Sequence, residues 1–306
     1  METKQFAKFK YDNVNCYVCG KNDFTPLHKL EDRYKEGPIT FVKCNHDGLI
    51  YQQPCPTPES LIEFFNSSSF SSQKNTDEAE ELTGYFDYLS GEAFRLKMAK
   101  DRLALLNEKF GHRKPLDMLK IAPGTGILLK LAKDYGHNVL GLDVSKFFVD
   151  YAVKNHGIDM IHASFQEHDF ETKKFDAILF FGAIMNVSDP RKFLEKIFTL
   201  LKPGGQLHIN YISSDNWVYK LQKRNFWLIR PPVISYYNES NFRQLISSIG
   251  YDIIHEEKEW QHTHLAKVAN FSKVGLLKKV VNGLKLNDAI IKMPIPGGRY
   301  MIAQKK

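Results

Sequence analysis

Two small groups of residues in this 306-residue chain have the types and spacing that chemistry requires. The first is the turn Ala122-Pro123-Gly124-Thr125-Gly126. Its glycines let backbone amides approach a ligand closely, and the helix start that follows offers unpaired donors to polar or negative groups. Seventeen residues after Gly126 stands Asp143, at the end of Gly141-Leu142-Asp143. A carboxylate at the tip of a second strand is placed to accept both hydroxyls of a ribose. An Asp there also suits a helix cap near Ser145, but turn and acid together favour a nucleoside site. Leu129 occupies the place of the third glycine that a dinucleotide fingerprint needs, which disfavours a dehydrogenase. No Gly-Lys-Ser or Gly-Lys-Thr follows the turn, so the phosphate loop of nucleotide hydrolases is excluded as well.

The second group is cysteine-based. Cys16-Tyr17-Val18-Cys19-Gly20 reads as one thiolate knuckle, and Cys44-Asn45-His46-Asp47-Gly48 as another with Asp47 in the place of a fourth cysteine. Two such turns bring four ligands into a tetrahedron, and structural zinc then supplies folding energy that a module of about fifty residues lacks. His46 and Cys55 are alternative fourth ligands. All four cysteines fall before residue 60, which suits a metal better than a disulfide framework.

The elements that must position these groups follow from periodicity. Residues 1–62 are rich in Cys, Pro and turn formers and form a small zinc-ribbon-like module. Residues 63–111 hold a Ser/Asn-rich linker (Asn66 to Asn75) and leading helices, with Phe94, Met98, Leu103, Leu105 and Leu106 on an apolar face. From 112 to 306 strand and helix signals alternate. Seven strands are expected, at 116–121, 138–142, 160–163, 175–181, 206–211, 251–260 and 299–304. Intervening helices, expected at 127–135, 146–155, 190–201 and 238–249, require a parallel sheet covered on both faces. The fold class is therefore α/β, a Rossmann-like doubly wound seven-stranded sheet with a helical insertion near 261–296.

Composition narrows the partners. With 43% hydrophobic and 25% charged residues the chain can bury a full core. No apolar run of about eighteen residues occurs, and the first residues lack the apolar stretch of a signal peptide, so no transmembrane segment is expected and a cytoplasmic setting is the default. The net charge of +7 is scattered among acidic residues without a dense basic stripe, which argues against nucleic acid. The excess is strongest late in the chain, at Lys267, Lys273, Lys278, Lys279, Lys285 and Lys292.

Across roughly residues 112–260 the sequence resembles a class I S-adenosylmethionine-dependent methyltransferase. The resemblance rests on Ala122-Pro123-Gly124-Thr125-Gly126, Gly141-Leu142-Asp143-Val144-Ser145, Lys174-Phe175-Asp176-Ala177-Ile178 and the specific Leu200-Leu201-Lys202-Pro203-Gly204-Gly205 before a strand. It implies that Ala122, Pro123, Gly124, Thr125 and Gly126 line the methionine end and ribose, and that Asp143 holds the ribose hydroxyls. It further implies that Val144, Ser164 and Phe165 flank the adenine, and that Phe181 sits beside the transferred methyl. Three positions depart from the family pattern: Lys120 stands where an acidic residue is usual, Ala122 where a glycine is, and Met185-Asn186 where Glu-His is.

The amino-terminal module carries a resemblance of its own. Gly48-Leu49-Ile50-Tyr51-Gln52-Gln53-Pro54-Cys55-Pro56 resembles the stretch that follows zinc knuckles in bacterial methyltransferases linked to surface or natural-product sugars. There Cys55 falls at a variable position, which favours Cys16, Cys19, Cys44 and Asp47 as the zinc set. The implied function is methyl transfer from S-adenosylmethionine to a small-molecule acceptor, with a nucleotide-linked or surface-polysaccharide sugar as the candidate; a noncatalytic binding or scaffold protein on the same fold is the alternative. A hydroxyl acceptor needs a base. The candidate bases are His262 and His264 at the exit of a core strand; Asn186, which stands where the family usually has a histidine and is itself no base, is a further catalytic candidate. Tyr85 and Tyr88 are candidate aromatic walls over the cofactor. The insertion carries Val274, Leu277, Val280, Val281 and Leu284 on one side of a helix whose basic residues suit an anionic acceptor.

Overall fold

A computed structural model of the chain describes residues 9–31, 38–66, 92–223, 226, 232–265, 268, 281, 283, 284, 286 and 289–306. Two antiparallel strands, β1 (Tyr11–Asp12) and β5 (Cys55–Pro56), pair beside a four-stranded sheet. That sheet contains β2 (Phe24–Glu31), β3 (Pro38–Cys44) and β4 (Ile50–Gln52). Its fourth strand, β11 (Ser235–Tyr236), comes from far along the chain and pairs with β4 through Ser235 to Tyr51 and Tyr236 to Ile50. The amino-terminal sheet is therefore completed by the larger one's own sequence. One continuous core joins them, running from Phe41, Tyr51, Leu61 and Phe64 to Leu119, Ile178 and Phe242. Sequence periodicity cannot show a two-residue strand of this kind, because its pairing is set entirely by tertiary context.

Helix α1 (Pro58–Asn66) follows the small sheet, with Leu61 and Phe64 buried. The leading helix expected before the first core strand is α2 (Glu92–Lys109), which buries Ala99, Leu103 and Leu106. The large sheet contains β6 (Asp117–Ile121), β7 (Asn138–Asp143), β8 (Met160–His162), β9 (Phe175–Phe180), β10 (Leu201–Ile212), β12 (Tyr251–His264) and β13 (Ile290–Lys305). Its order is β12-β13-β10-β9-β6-β7-β8. Neighbouring strands from β10 to β8 run parallel, and β13 runs antiparallel to both β10 and β12. The order reverses at β6, which leaves a crevice at the carboxyl ends of β6, β7 and β9 where ligands of such sheets bind. All six residues of β9 are buried, as a strand covered on both faces requires.

Helices α3 (Ile127–Tyr135), α4 (Lys146–His156), α5 (Pro190–Leu200) and α7 (Glu239–Ile249) stand within one residue of expectation at each end. Their caps explain why: Asp189 accepts from the Lys192 amide with Pro190 in the first turn, and Asn238 and Asn241 form a capping box on α7. Helix α6 (Trp217–Gln222) was not foreseen; Asn216 caps it.

The expected insertion near 261–296 needs correction at both ends. Strand β12 continues to His264, and β13 begins at Ile290, pairing His262 with Lys292 and Trp260 with Pro294. The arm they form extends past Ile212, the end of β10, which pairs with Gly298. Polar residues such as Gln261, His262 and Lys292 are compatible with strand on an arm that is only half-buried, and they masked its periodicity. Of the expected insertion helix, Val281 is buried and Leu284 exposed, while Val274, Leu277 and Val280 lie outside the described residues. So do Tyr85, Tyr88 and the Ser/Asn-rich run after Asn66. Among the described residues no helix is long and apolar enough to cross a membrane.

Candidate functional site

The turn after β6 is left-handed at three alternate residues, Ala122 (φ 51°), Gly124 (φ 59°) and Gly126 (φ 80°). Such a backbone suits glycine, and Ala122 holds it at a cost of about 1 kcal/mol. The two faces of the turn do different work. Ala122 and Gly124 line the crevice, while Thr125 is buried and Gly126 packs so closely on α4 that an added Cβ would stand 2.9 Å from the Cβ of Ala152. Pro123, Thr125 and Gly126 are not among the residues that line the crevice, and Gly126 docks the start of α3 against α4.

Asp143 lines the same cavity at the tip of β7 and is buried. Its Oδ1 accepts the Ser145 amide over 2.9 Å, and the Gly124 amide also supports it. Burial nonetheless pushes its carboxyl up to about 6. A carboxylate short of partners in an apolar crevice gains by accepting donors from a ligand, and the hydroxyls of a ribose fit that need. Val144, Ser164 and Phe165 continue the lining from the ends of β7 and β8. At the exit of β9 it is made by Phe180, Phe181, Gly182 and Ala183, where the Gly182 amide donates to Asn210 Oδ1 over 2.6 Å. Asn186 lines it from a single 3-10 turn, Ile184–Asn186.

Two contributions were not foreseen in the sequence. Helix α1 closes one side with Pro58, Leu61, Ile62 and Phe65. This helix was not expected in a region read as module and linker, and local spacing does not say which residues face a ligand cavity. The second is Arg102 on α2, whose guanidinium sits 4.0 Å from the centroid of the Phe181 ring and pairs with buried Glu259 at 2.5 Å.

Lys120 is 6% exposed, with Nζ 3.4 Å from the carbonyl oxygen of Ala122 and 5.1 Å from the Phe181 centroid. Burial pulls its ammonium down to about 7; Arg102 acts in the same sense and Asp143 against it.

The catalytic candidates fare unequally. Asn186 is at the cavity, but His262 and His264 are not among its lining residues. His262 Nε2 lies 3.0 Å from Asp101 on α2, beside Lys292, which donates to the same carboxylate. His264 meets the Phe94 ring edge-on. Both sit on the arm, packed against α2.

The cysteine knuckles converge. Ligand atoms of Cys16, Cys19, Cys44 and Asp47 all lie within 4.8 Å of one another. Each knuckle is the same local turn: the Gly20 amide bonds the Cys16 carbonyl, and the Gly48 amide bonds that of Cys44. Cys19 Sγ and Cys44 Sγ are 3.6 Å apart, close to the roughly 3.8 Å that two thiolates 2.3 Å from a tetrahedral zinc would span. Cys16 Sγ donates to Asp47 Oδ2 over 3.0 Å. Burial raises the Cys16 and Cys19 thiols. For Asp47 burial acts upward too, but the thiol of Cys16 and the Leu49 amide outweigh it and hold the carboxyl below its usual range. Both alternative ligands point elsewhere. His46 Nε2 pairs with Asp23 at 2.8 Å, and Cys55 accepts from the Tyr17 hydroxyl at 3.2 Å. Three thiols and a carboxylate fit zinc chemically.

A family described as a methyltransferase domain matches residues 92–256. Ubiquinone biosynthesis O-methyltransferase of Coxiella burnetii is 29% identical over 108 residues, which cover 33% of this chain and 46% of that protein. Demethylmenaquinone methyltransferase of Clavibacter sepedonicus is 28% identical over 101 residues, 32% of this chain and 41% of the relative. This chain thus spans less than half the length of these curated relatives. Among solved structures, magnesium protoporphyrin IX methyltransferase of Synechocystis PCC 6803 with bound SAH superposes with a TM-score of 0.51 at 13% identity, covering 80% of this chain and 98% of that one. That likeness is one of fold.

Proposed function

We propose, for a chain that belongs to the methyltransferase-domain family, that it transfers the methyl group of S-adenosylmethionine to a small-molecule acceptor. The observation that carries this reading is the meeting of Asp143, Ala122, Gly124 and Phe181 around one crevice at the topological switch point. The cofactor supplies an electrophilic methyl on a positive sulfur. Asp143 accepts the ribose hydroxyls, Val144, Ser164 and Phe165 receive the adenine, and the β9 exit places the methionine end near the acceptor. What the protein contributes is chiefly alignment, since in-line transfer depends on holding both reactants in register.

The acceptor route is the cleft between the β1–β5 pair with its cysteine knuckle and the start of α5. It is lined by Asp12, Asn13, Asn15, Asp189 and Arg191, and it shares Pro58 and Ser188 with the cofactor cavity. Its mixture of amides, acids and a guanidinium suits a polyhydroxylated acceptor, which supports a nucleotide-linked or surface-polysaccharide sugar. The late basic residues Lys278 and Lys279, which suggested an anionic acceptor, lie outside the described residues. In this reading the Cys16, Cys19, Cys44 and Asp47 cluster binds structural zinc and fixes one wall of the cleft, since Cys16 and Tyr17 line it. The test is transfer of labelled methyl to a panel of nucleotide sugars. Labelling of one or more that weakens in Asn15→Ala through a higher KM supports the route; labelling unaffected by Asn15→Ala refutes it.

A second reading, a noncatalytic binding or scaffold protein, is favoured by one observation, the buried Lys120 beside a site meant for a cation.

A further inference from the structure

Lys120 has no part in the chemistry above, yet it adjoins the cavity wall. Its Nζ lies 3.5 and 3.4 Å from the carbonyl oxygens of Ile121 and Ala122, and it stands against the ring of Phe181; all three residues line the cavity. Among the described residues no carboxylate comes within 4.0 Å of that nitrogen. The charged and titratable groups around it are few. From α2 comes Arg102, already committed to Glu259 of β12. From β7 comes Asp143, with His162 of β8 close enough to act on it. From β13 comes Tyr300, stacked on Phe181 with its hydroxyl 2.6 Å from His208 Nδ1 of β10. Among the described residues the one acid that partly compensates the ammonium is Asp143, which a ribose would occupy.

We propose that Lys120 is the residue by which this site discriminates the cationic methyl donor from its neutral thioether product. The inference rests on the reading of the crevice as an S-adenosylmethionine site. A protonated Lys120 repels the sulfonium across the apolar wall made by Phe181, and a neutral one admits it; the thioether escapes this repulsion at sulfur, while the effect on the α-ammonium and carboxylate that both ligands carry cancels in the ratio of their affinities. Asp143 also titrates in this environment, but it faces a ribose common to both ligands, so its effect cancels in the ratio of their affinities. Burial places the loss of the Lys120 proton near neutral pH. The preference for donor over product therefore grows as the pH rises, by about tenfold between pH 6 and pH 8 if only the neutral lysine accepts the sulfonium.

Calorimetric titration of the zinc-loaded full chain with S-adenosylmethionine and with S-adenosylhomocysteine, at pH 6, 7 and 8, tests this. The expected result is that the ratio of the product's Kd to the donor's rises about tenfold over this range in the wild type. In Lys120→Met and Lys120→Gln, near-isosteric and uncharged, the ratio should stay flat and at pH 6 exceed the wild-type value. The variants also carry any pH dependence that belongs to the ligands themselves. A flat wild-type ratio, or equal slopes in wild type and variants, overturns the inference while leaving the site intact. Binding of neither ligand at any pH overturns the reading of the site and the inference with it.

Discussion

Asn238 Nδ2 donates to the backbone carbonyl of Asp47 across 3.0 Å, so the residue that caps α7 also holds a knuckle of the cysteine cluster. Asn241 donates to the same oxygen over 3.3 Å, and β11, just before the cap, completes the small sheet. The cysteine cluster and the large sheet are thus one mechanical unit.

Asn238→Ala removes a helix cap, worth about 1 kcal/mol, and a bond to a half-buried carbonyl, worth about 1 more. Unfolding free energy should fall by about 2 kcal/mol. Zinc, measured by chelator competition, should leave faster than from the wild type. A variant that loses stability but keeps zinc as tightly would show that cap and knuckle are not coupled.

Removing the metal itself should be costlier. The purified chain should carry one zinc, and Cys16→Ser should lose it; with β4 no longer held, β11 and the α1 wall of the crevice should loosen. Hydrogen exchange over residues 48–66 and 232–238 reports this, and unchanged protection in a zinc-free sample would contradict it.

Asp143 illustrates a site held against stability. Its carboxyl rises from 3.8 to about 6 on folding, so the folded state retains the proton to higher pH. For an acid shifted upward, stability is present below about pH 4 and is lost as pH climbs to about 6, by about 3 kcal/mol. Asp143→Asn removes that loss. The ligand-free variant should be more stable than wild type at pH 7 by up to about 3 kcal/mol, equal to it at pH 3.5, and bind S-adenosylmethionine at least tenfold more weakly, an estimate from about 1.4 kcal/mol of lost hydrogen bonding. Denaturant melts at both pH values decide it; a variant less stable at pH 7 would refute it.

Gly126→Ala should act through packing. At φ 80° an alanine is strained, and its Cβ would stand 2.9 Å from Ala152 and 3.0 Å from Ile158 Cδ1. A loss of about 2–4 kcal/mol is expected. Gly124→Ala at φ 59°, on the cavity side, should instead weaken the ligand more than the fold. Melting temperature and calorimetry on the two variants distinguish these roles.

The centre of the large sheet was legible because β9 is buried on both faces and because α5 and α7 carry side-chain caps, so that Phe175–Phe180 and Pro190–Leu200 stand out locally. The crevice was legible in part: Asp143 and Phe181 line it, but whether Gly124 or Gly126 faces the ligand depends on where α4 packs. His262 and His264 looked like bases because the strand seemed to end at Trp260. The arm carries them instead to Asp101 and Phe94 on α2, contacts more than 150 residues apart that no local pattern encodes. The same distance hid β11 and the role of α1.

Titration calorimetry of the folded, zinc-loaded chain with S-adenosylmethionine tests most directly whether the crevice at β6, β7 and β9 binds the methyl donor. One-to-one binding is expected, with a Kd on the order of micromolar, as is typical of working ligand affinities, competed by S-adenosylhomocysteine and lost in Asp143→Ala. No binding to a sample shown to be folded and metal-loaded would contradict it and leave the scaffold reading in its place.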